Sequence, residues 1–213
     1  LGSAPRFRNF VKTLHLGESV HYAPLRRLVA PYILRRLKTD KTIIADLPDK
    51  TEMTVSCGLV PAQARLYERT AKSLAETIEN VSGIERRGLV LSYLMRFKQI
   101  CNHPDQLAKT GAYDAAHSAK FLRLAELCEE IASRGEKALV FSQFRELADP
   151  LENHLAEVFG RGGLVLHGGT AVKRRQEMVD RFQREDGPPI FVLSLKAGGT
   201  GLNLTAASHV IHF

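Results

Sequence analysis

The 213-residue chain is long enough for one well-filled hydrophobic core with a smaller accessory unit. Its 44% hydrophobic and 25% charged residues are those of an ordinary globular chain, and no apolar run reaches bilayer-spanning length, which excludes a helical membrane protein. The formal net charge is +7, and the three separated cysteines (Cys57, Cys101, Cys128) make neither a disulfide framework nor a paired metal-ligand pattern, so free thiols in a reducing compartment are expected.

The opening "LGSAPRFRNF" has no initiator methionine and lacks both the charged start and the apolar stretch of a secretory signal, so the chain reads as excised from a longer one. Residues 1–60 carry ten Lys/Arg against five Asp/Glu, a balance of +5, whereas residues 61–213 carry twenty against eighteen, a balance of +2. Much of this excess lies in "PLRRLVAPYILRRLKTDK", where Arg26, Arg27, Arg35, Arg36, Lys38 and Lys41 interleave with Leu25, Leu28, Leu34 and Leu37. The pattern predicts two short helices divided at Pro31, each with an apolar stripe and a basic flank. A solvated charged face and a polyanion contact both fit that flank.

Alternation of Met53, Val55 and Cys57 with more polar neighbours predicts a strand in "LPDKTEMTVSCGLV". Pro61 opens a polar helix running to about Asn80, and "RRGLVLSYLMRFKQICNHP" reads as a second helix ending at Pro104. The polar joint Gly111–His117 marks a segment boundary, dividing the chain into 1–115 and 116–213. Beyond it, Ser118 is placed to cap a helix with Phe121, Leu124, Ala125, Cys128, Ile131 and Ala132 on one face, and Gly135 to end it. There follow an apolar strand in "KALVFSQF", a helix in "RELADPLENHLAEVF" interrupted at Pro150, a strand and turn in "GLVLHGGT", a helix in "AVKRRQEMVDRFQRED" and a strand in "PIFVLSL". Helix and strand alternating at this spacing predict an open parallel α/β sheet with crossover helices.

Ligands of such sheets meet the carboxyl ends of the strands. Here those ends are Ser142-Gln143, His167 to Thr170, and Ser194 to Asn203, three polar or glycine-rich tips on one edge. Each has a plainer reading: Gly168 and Gly169 as a tight turn, Thr170 as the N-cap of the next helix. Lys173, Arg174 and Arg175 sit where cations oppose a helix dipole, a tension that a nearby phosphate would relieve. The spacing of Gly198, Gly199 and Gly201 matches neither the phosphate-cradling P-loop nor the dinucleotide fingerprint. The cluster Cys101 to Pro104 has no second ligand pair for zinc and reads as a helix terminus, no serine lies in a nucleophile elbow, and His154 and His209 read as structural.

Taken together and in order, "YILRRLKTD", "LPDKTE", "LMRFKQICNHP", "SAKFLRLAELCEEI", "KALVFSQF", "HGGT" and "SLKAGGTGLNLTAASHVIHF" resemble the second half of the Swi/Snf-type ATPase motor of helicase superfamily two, over nearly the whole chain. "KALVFSQF" resembles that family's fourth helicase motif and "SLKAGGTGLNL" its fifth. The resemblance implies a RecA-like second motor lobe (116–213) preceded by helical protrusion and connector segments (1–115). The full motor has two such lobes, which close around ATP and Mg2+ and move along double-stranded DNA, usually without separating its strands.

By the same resemblance, Gly199, Gly201 and Asn203 are expected near the nucleotide. Ser142, Gln143, Gly169, Thr170, Ser194 and Lys196 are expected along the DNA backbone, with Ala197 to Gly201 coupling the two sites. Hydroxyls, amides and cations at strand tips suit phosphates and carry no base readout. The family's lobe-one lysine loop and acidic magnesium motif are not in this sequence. Its sixth motif follows a tryptophan-rich segment, and this chain has no tryptophan and stops at Phe213. No catalytic or metal-binding residue is therefore named, tight ATP or Mg2+ binding by this chain alone is not expected, and hydrolysis is expected only of the full motor. Expected partners are duplex DNA, the first motor lobe and a DNA-bound protein complex, with no membrane. The implied setting is cytoplasmic and nucleoid-associated in a bacterium, nuclear in a eukaryote. The rival reading is a non-catalytic scaffold docking nucleic acid or an acidic protein through the basic front helices. A sugar-nucleotide transferase of similar layout lacks a sugar-binding acid cluster.

Overall fold

A parallel strand buried on both faces is apolar along its length, and the two central strands of this protein are so up to their terminal serines, Ser142 and Ser194. The computed structural model describes residues 3–16, 23–33, 50–109, 111–198 and 201–213. The chain forms two compact units, Leu1–Thr54 and Val55–Phe213. In the first, helices α1 (Ala4–Leu16) and α2 (Ala23–Val29) hold Arg6, Arg8, Lys12, Arg26 and Arg27 in solvent, and Ala30–Tyr32 is a 3-10 turn around Pro31. The second half of the basic stretch, with Arg35, Arg36, Lys38 and Lys41, lies outside the described residues.

The second unit is built on four parallel strands: β1 (Ala138–Ser142), β2 (Leu164–Leu166), β3 (Ile190–Ser194) and β4 (His209–His212), in spatial order β2-β3-β1-β4. Side chains of β3 alternate between two cores. Ile190 and Val192 join Val140 against α6 (Ala119–Ser133) and α7 (Ala148–Phe159), whose Phe121, Leu124, Cys128, Leu151 and Leu155 fill one face. Phe191 and Leu193 join Leu139, Leu164 and Leu166 on the other face, against Val179 and Phe182 of α8 (Val172–Gln183). This is the expected open parallel sheet with crossover helices. Pro150 is third in α7, where its missing N–H would have had no helical partner, so the helix is uninterrupted. Ser118 caps α6 through Phe121 N–H, and Gly135, at φ +67°, closes it with its N–H on Ala132 O.

The expected strand around Met53–Cys57 does not form: residues 50–60 have no regular structure and Met53 is 76% exposed. Alternation alone cannot hold a strand without a paired neighbour, and among the described residues none lies alongside it. The polar helices do form, as α3 (Pro61–Ile78) and α4 (Gly83–Asn102), and after a one-residue break at His103, Pro104 starts the short helix α5 (Pro104–Ala108). All three belong to the same compact unit as the sheet, so the Gly111–His117 joint lies inside that unit.

What joins these helices to the sheet is largely polar. The Gln63 side chain, fully buried, donates to Ile100 O (2.7 Å) and Cys101 O (3.2 Å) and accepts from Val60 N–H (3.3 Å) and Ala119 N–H (3.2 Å). One amide thus satisfies orphan groups at the start of α3, the end of α4 and the start of α6. The three cysteines are free: Cys57 is exposed, and burial pushes the Cys128 thiol up to about 12. Replacing Gln63 by Leu leaves one buried and three part-buried backbone groups without this partner and is expected to lower unfolding stability by about 2–4 kcal/mol, read from the urea midpoint with unchanged slope. An unshifted midpoint would mean that other groups satisfy them.

Candidate nucleic-acid interface

Because all four strands run the same way, their carboxyl ends share one edge, and the chain leaves β1 over one face and β3 over the other, the arrangement that opens a crevice between their tips. Ser142 and Ser194 are register partners there. Both are buried, at 1% and 6% exposure, so they form the floor of the edge, and the Ser142 hydroxyl accepts from Phe144 N–H at 3.2 Å, shaping the turn out of β1. Gln143 and Lys196 stand exposed beside them, Lys196 on the short helix α9 (Leu195–Gly198). Gln143 accepts a hydrogen bond from Lys98 Nζ of α4 at 3.2 Å.

At the β2 tip, Thr170 does not cap α8; Ala171 occupies the N-cap position. The Thr170 hydroxyl instead accepts from His167 N–H (3.2 Å), and its own N–H donates to His167 O (2.9 Å), closing the "HGGT" turn on itself. Gly169 is exposed and its N–H donates to His167 Nδ1 at 3.1 Å. Arg175 holds this turn from α8: Nε donates to Thr170 O (2.9 Å) and an Nη to Gly168 O (3.2 Å). The cation that seemed misplaced at a helix start is therefore engaged by loop carbonyls, while Lys173 and Arg174 remain exposed. A Cβ on Gly169 would lie 3.5 Å from a guanidinium nitrogen of Arg145, which brings the β1 exit up to the β2 tip across β3.

Ala197 of α9 and, beyond the helix, Leu202 and Leu204 pack into the second core, whereas Gly201 and Asn203 face solvent. Gly201 has φ +78° and open space where a Cβ would be, so its backbone is bare and a side chain there would be strained. Gly199 lies outside the described residues. Gln183 anchors the following segment, donating to Thr205 Oγ1 (2.8 Å) and accepting from Ala206 N–H (2.9 Å).

The Cys101 to Pro104 cluster is a helix terminus. His103 is fully buried; its Nδ1 accepts from Asp105 N–H (3.1 Å) and its Nε2 donates to Asp114 O (2.8 Å), leaving no lone pair for a metal. Among the described residues no three His, Cys, Asp or Glu side chains gather into a metal site, and no helix is long and apolar enough to cross a membrane. His154 bonds Phe121 O (3.1 Å) and His209 pairs with Glu136 (2.5 Å), both structural contacts. Of the groups now seen at the edge, Lys98 and Arg145 escaped sequence reasoning. Lys98 is 45 residues from Gln143, and no local pattern marks that pairing.

Two family descriptions match the chain: "SNF2-related domain" over residues 1–106 and "Helicase conserved C-terminal domain" over residues 120–213. The chain is 39% identical over 191 residues to the Bacillus subtilis protein YwqA, named for an ATP-dependent helicase or translocase, matching 89% of this chain and 21% of that one. It spans about a fifth or less of the length of the curated relatives it matches. It is similar to the Sulfolobus solfataricus SWI2/SNF2 ATPase C-terminal domain (37% identity, TM-score 0.71), covering 77% of this chain and 72% of that one. It is also similar to the ATPase core of the same source solved with double-stranded DNA (36% identity, TM-score 0.72), covering all of this chain and 45% of that one.

Arg175→Ala removes two charge-assisted hydrogen bonds from the "HGGT" turn. It is expected to cost about 1–2 kcal/mol of stability and to speed amide exchange at Gly169 and Thr170. Unchanged exchange there would show that the turn holds itself without the guanidinium.

Proposed function

Because the chain belongs to the SWI2/SNF2 family of superfamily-two ATPases, we propose that it is the second motor lobe, with its protrusion and connector segments, of an ATP-dependent double-stranded DNA translocase. In this reading residues 116–213 are the RecA-like lobe and residues 1–115 the protrusion and connector. The observation that carries it is the single edge on which Gln143, Gly169 and Lys196 stand exposed, floored by Ser142 and Ser194. The Gln143 amide nitrogen and the Lys196 ammonium at the ends of parallel strands offer donors to sugar-phosphate oxygens, the exposed Gly169 leaves room for a backbone to approach, and among the described residues the edge presents no long element that would enter a groove and read bases. Such contacts fit a motor that must hold any sequence it moves over.

The segment after α9 would form the nucleotide wall. The bare, left-handed backbone at Gly201 and the exposed Asn203 fit the approach of a phosphate or ribose, and Gly199 completes the same run. ATP would supply the free energy of phosphoryl transfer, and these residues would bind and orient it along one side only. The described residues supply no carboxylate cluster for Mg2+, so no magnesium-dependent step is assigned to this chain. Ala197, buried in the core beside Leu193, sits next to Lys196 and five residues or fewer from the glycine run, a short stretch of sequence that would couple the DNA edge to the nucleotide wall. Catalysis of phosphoryl transfer rests on groups converging from both lobes, so hydrolysis belongs to the full motor. The first motor lobe is the partner this reading requires, and a DNA-bound protein complex is a further one it admits. The setting this reading implies is cytoplasmic and nucleoid-associated in a bacterium, as for a source like that of the Bacillus subtilis relative, and nuclear in a eukaryote, as for one like that of the Arabidopsis thaliana relatives.

Duplex binding across a salt series tests the reading, with Lys196→Ala and Thr170→Ala beside the unaltered chain. Binding should weaken steeply with salt, and Lys196→Ala should lower the log–log slope by about one. Thr170→Ala should weaken binding by loosening the turn that presents Gly169. Binding indifferent to both substitutions would point to the scaffold reading, using the exposed basic residues of α1 and α2. In the same samples ATP turnover should stay at background with DNA present; robust stimulated turnover would overturn the assignment of a half-site.

A further inference from the structure

The Cys-Asn-His-Pro turn, far from the strand edge in sequence, is wired to it. Lys120 Nζ donates to Asn102 Oδ1 (3.0 Å), Asn102 Nδ2 donates to Gln106 Oε1 (3.1 Å), and Gln106 Nε2 donates to Glu146 Oε1 (3.0 Å). Every donor points the same way, from an ammonium at one end to a carboxylate at the other, so the end charges fix the orientation of both intervening amides and each bond polarises the next. Asn102 is 5% exposed and Gln106 2% exposed, so the links run through the interior, and Ser118 Oγ donating to Asn102 O (2.5 Å) pins the middle. Burial pulls the Lys120 ammonium below the ordinary lysine value, consistent with its place inside this joint.

The chain ends one residue from Arg145, in the 3-10 turn Arg145–Leu147 that leaves the β1 tip. Arg145 is exposed, its guanidinium reaches the neighbourhood of Gly169, and no carboxylate among the described residues pairs with it. We propose that Arg145 is a phosphate-contacting residue bridging the β1 and β2 tips, and that the Lys120–Asn102–Gln106–Glu146 chain is the positioning device that holds it there. The inference rests on the DNA-edge reading above and adds to it a contact and its support. Through it, helices α4 and α5 set the placement of a DNA contact that belongs to the β1 exit.

Glu146 separates this from plain electrostatics. Removing a carboxylate near a DNA-binding edge should tighten binding if charge alone matters; if Glu146 acts as the end of the positioning chain, Glu146→Ala weakens duplex binding by about tenfold, the scale of a lost charge-assisted contact. Glu146→Gln keeps an acceptor oxygen for Gln106 and should bind at least as tightly as the unaltered chain. Arg145→Ala should weaken binding by a similar factor and lower the salt slope by about one. Gln106→Ala should then add less than twofold in the Arg145→Ala background, because it acts through that residue. Thermal melts of each variant establish that it is folded at the assay temperature; Glu146 lies at the exposed end, so Glu146→Ala tests the chain even where Gln106→Ala does not fold. Equal or tighter binding by Glu146→Ala, or unaltered binding by Arg145→Ala, overturns this inference while the DNA reading stands. An unaltered chain without salt-sensitive duplex binding overturns both.

Discussion

The buried amide of Gln63 is the constraint on which the second unit's arrangement depends. Helix ends leave backbone groups without partners, and three helix ends meet here around one fully buried side chain. An apolar residue would pack but leave those groups unpaired, while a charged one would bring a desolvation cost. A glutamine can donate twice and accept twice from one planar group, which fixes the spacing of the three termini. Once they are fixed, the Ser118 hydroxyl lies within reach of the Asn102 carbonyl, which ties the end of α4 to the start of α6.

Beyond that joint, the sheet supplies rigidity of another kind. Its central strands are apolar on both faces, so each tip is anchored from above and below while its polar terminus emerges at one edge. Function can then be carried by a few residues on short turns, since the strands beneath supply the order. The edge is neither all loop nor all core: Ser142 and Ser194 close the floor, Arg175 ties the β2 turn, and exposed groups stand above.

Much of this was legible in the sequence. The period-3.6 apolar positions of α6, the unbroken apolar runs of β1 and β3 and the capping residues Ser118 and Gly135 carried the lobe's architecture. The order of "KALVFSQF", "HGGT" and "SLKAGGTGLNL" pointed to the same edge. Reading failed where the decisive partner is remote. Met53, Val55 and Cys57 alternate as a strand does, yet lack a neighbour to pair with among the described residues. Thr170 has the chemistry of an N-cap, but the competing bond to its own turn prevails. Gln63, Gln106 and Lys98 look like ordinary polar helix residues, and only the tertiary contact shows what each holds.

The engagement of cations inside the fold also changes what the formal charge of +7 means. Lys137 donates to Phe182 O (2.9 Å) and to Arg184 O, Lys120 to Asn102, Lys98 to Gln143 and Arg175 to two loop carbonyls. Each still adds to the field around the protein, yet its hydrogen-bonding capacity is partly spoken for, so it is a poorer ligand for an incoming anion than a free side chain. At the carboxyl edge of the sheet, where Lys98 and Arg175 are engaged in this way, the charge free to meet an anion is accordingly smaller than a tally of basic residues suggests. Were the edge to hold DNA as proposed, a grip set by few contacts could be released at each step, whereas one set by every cation on the face would hold fast.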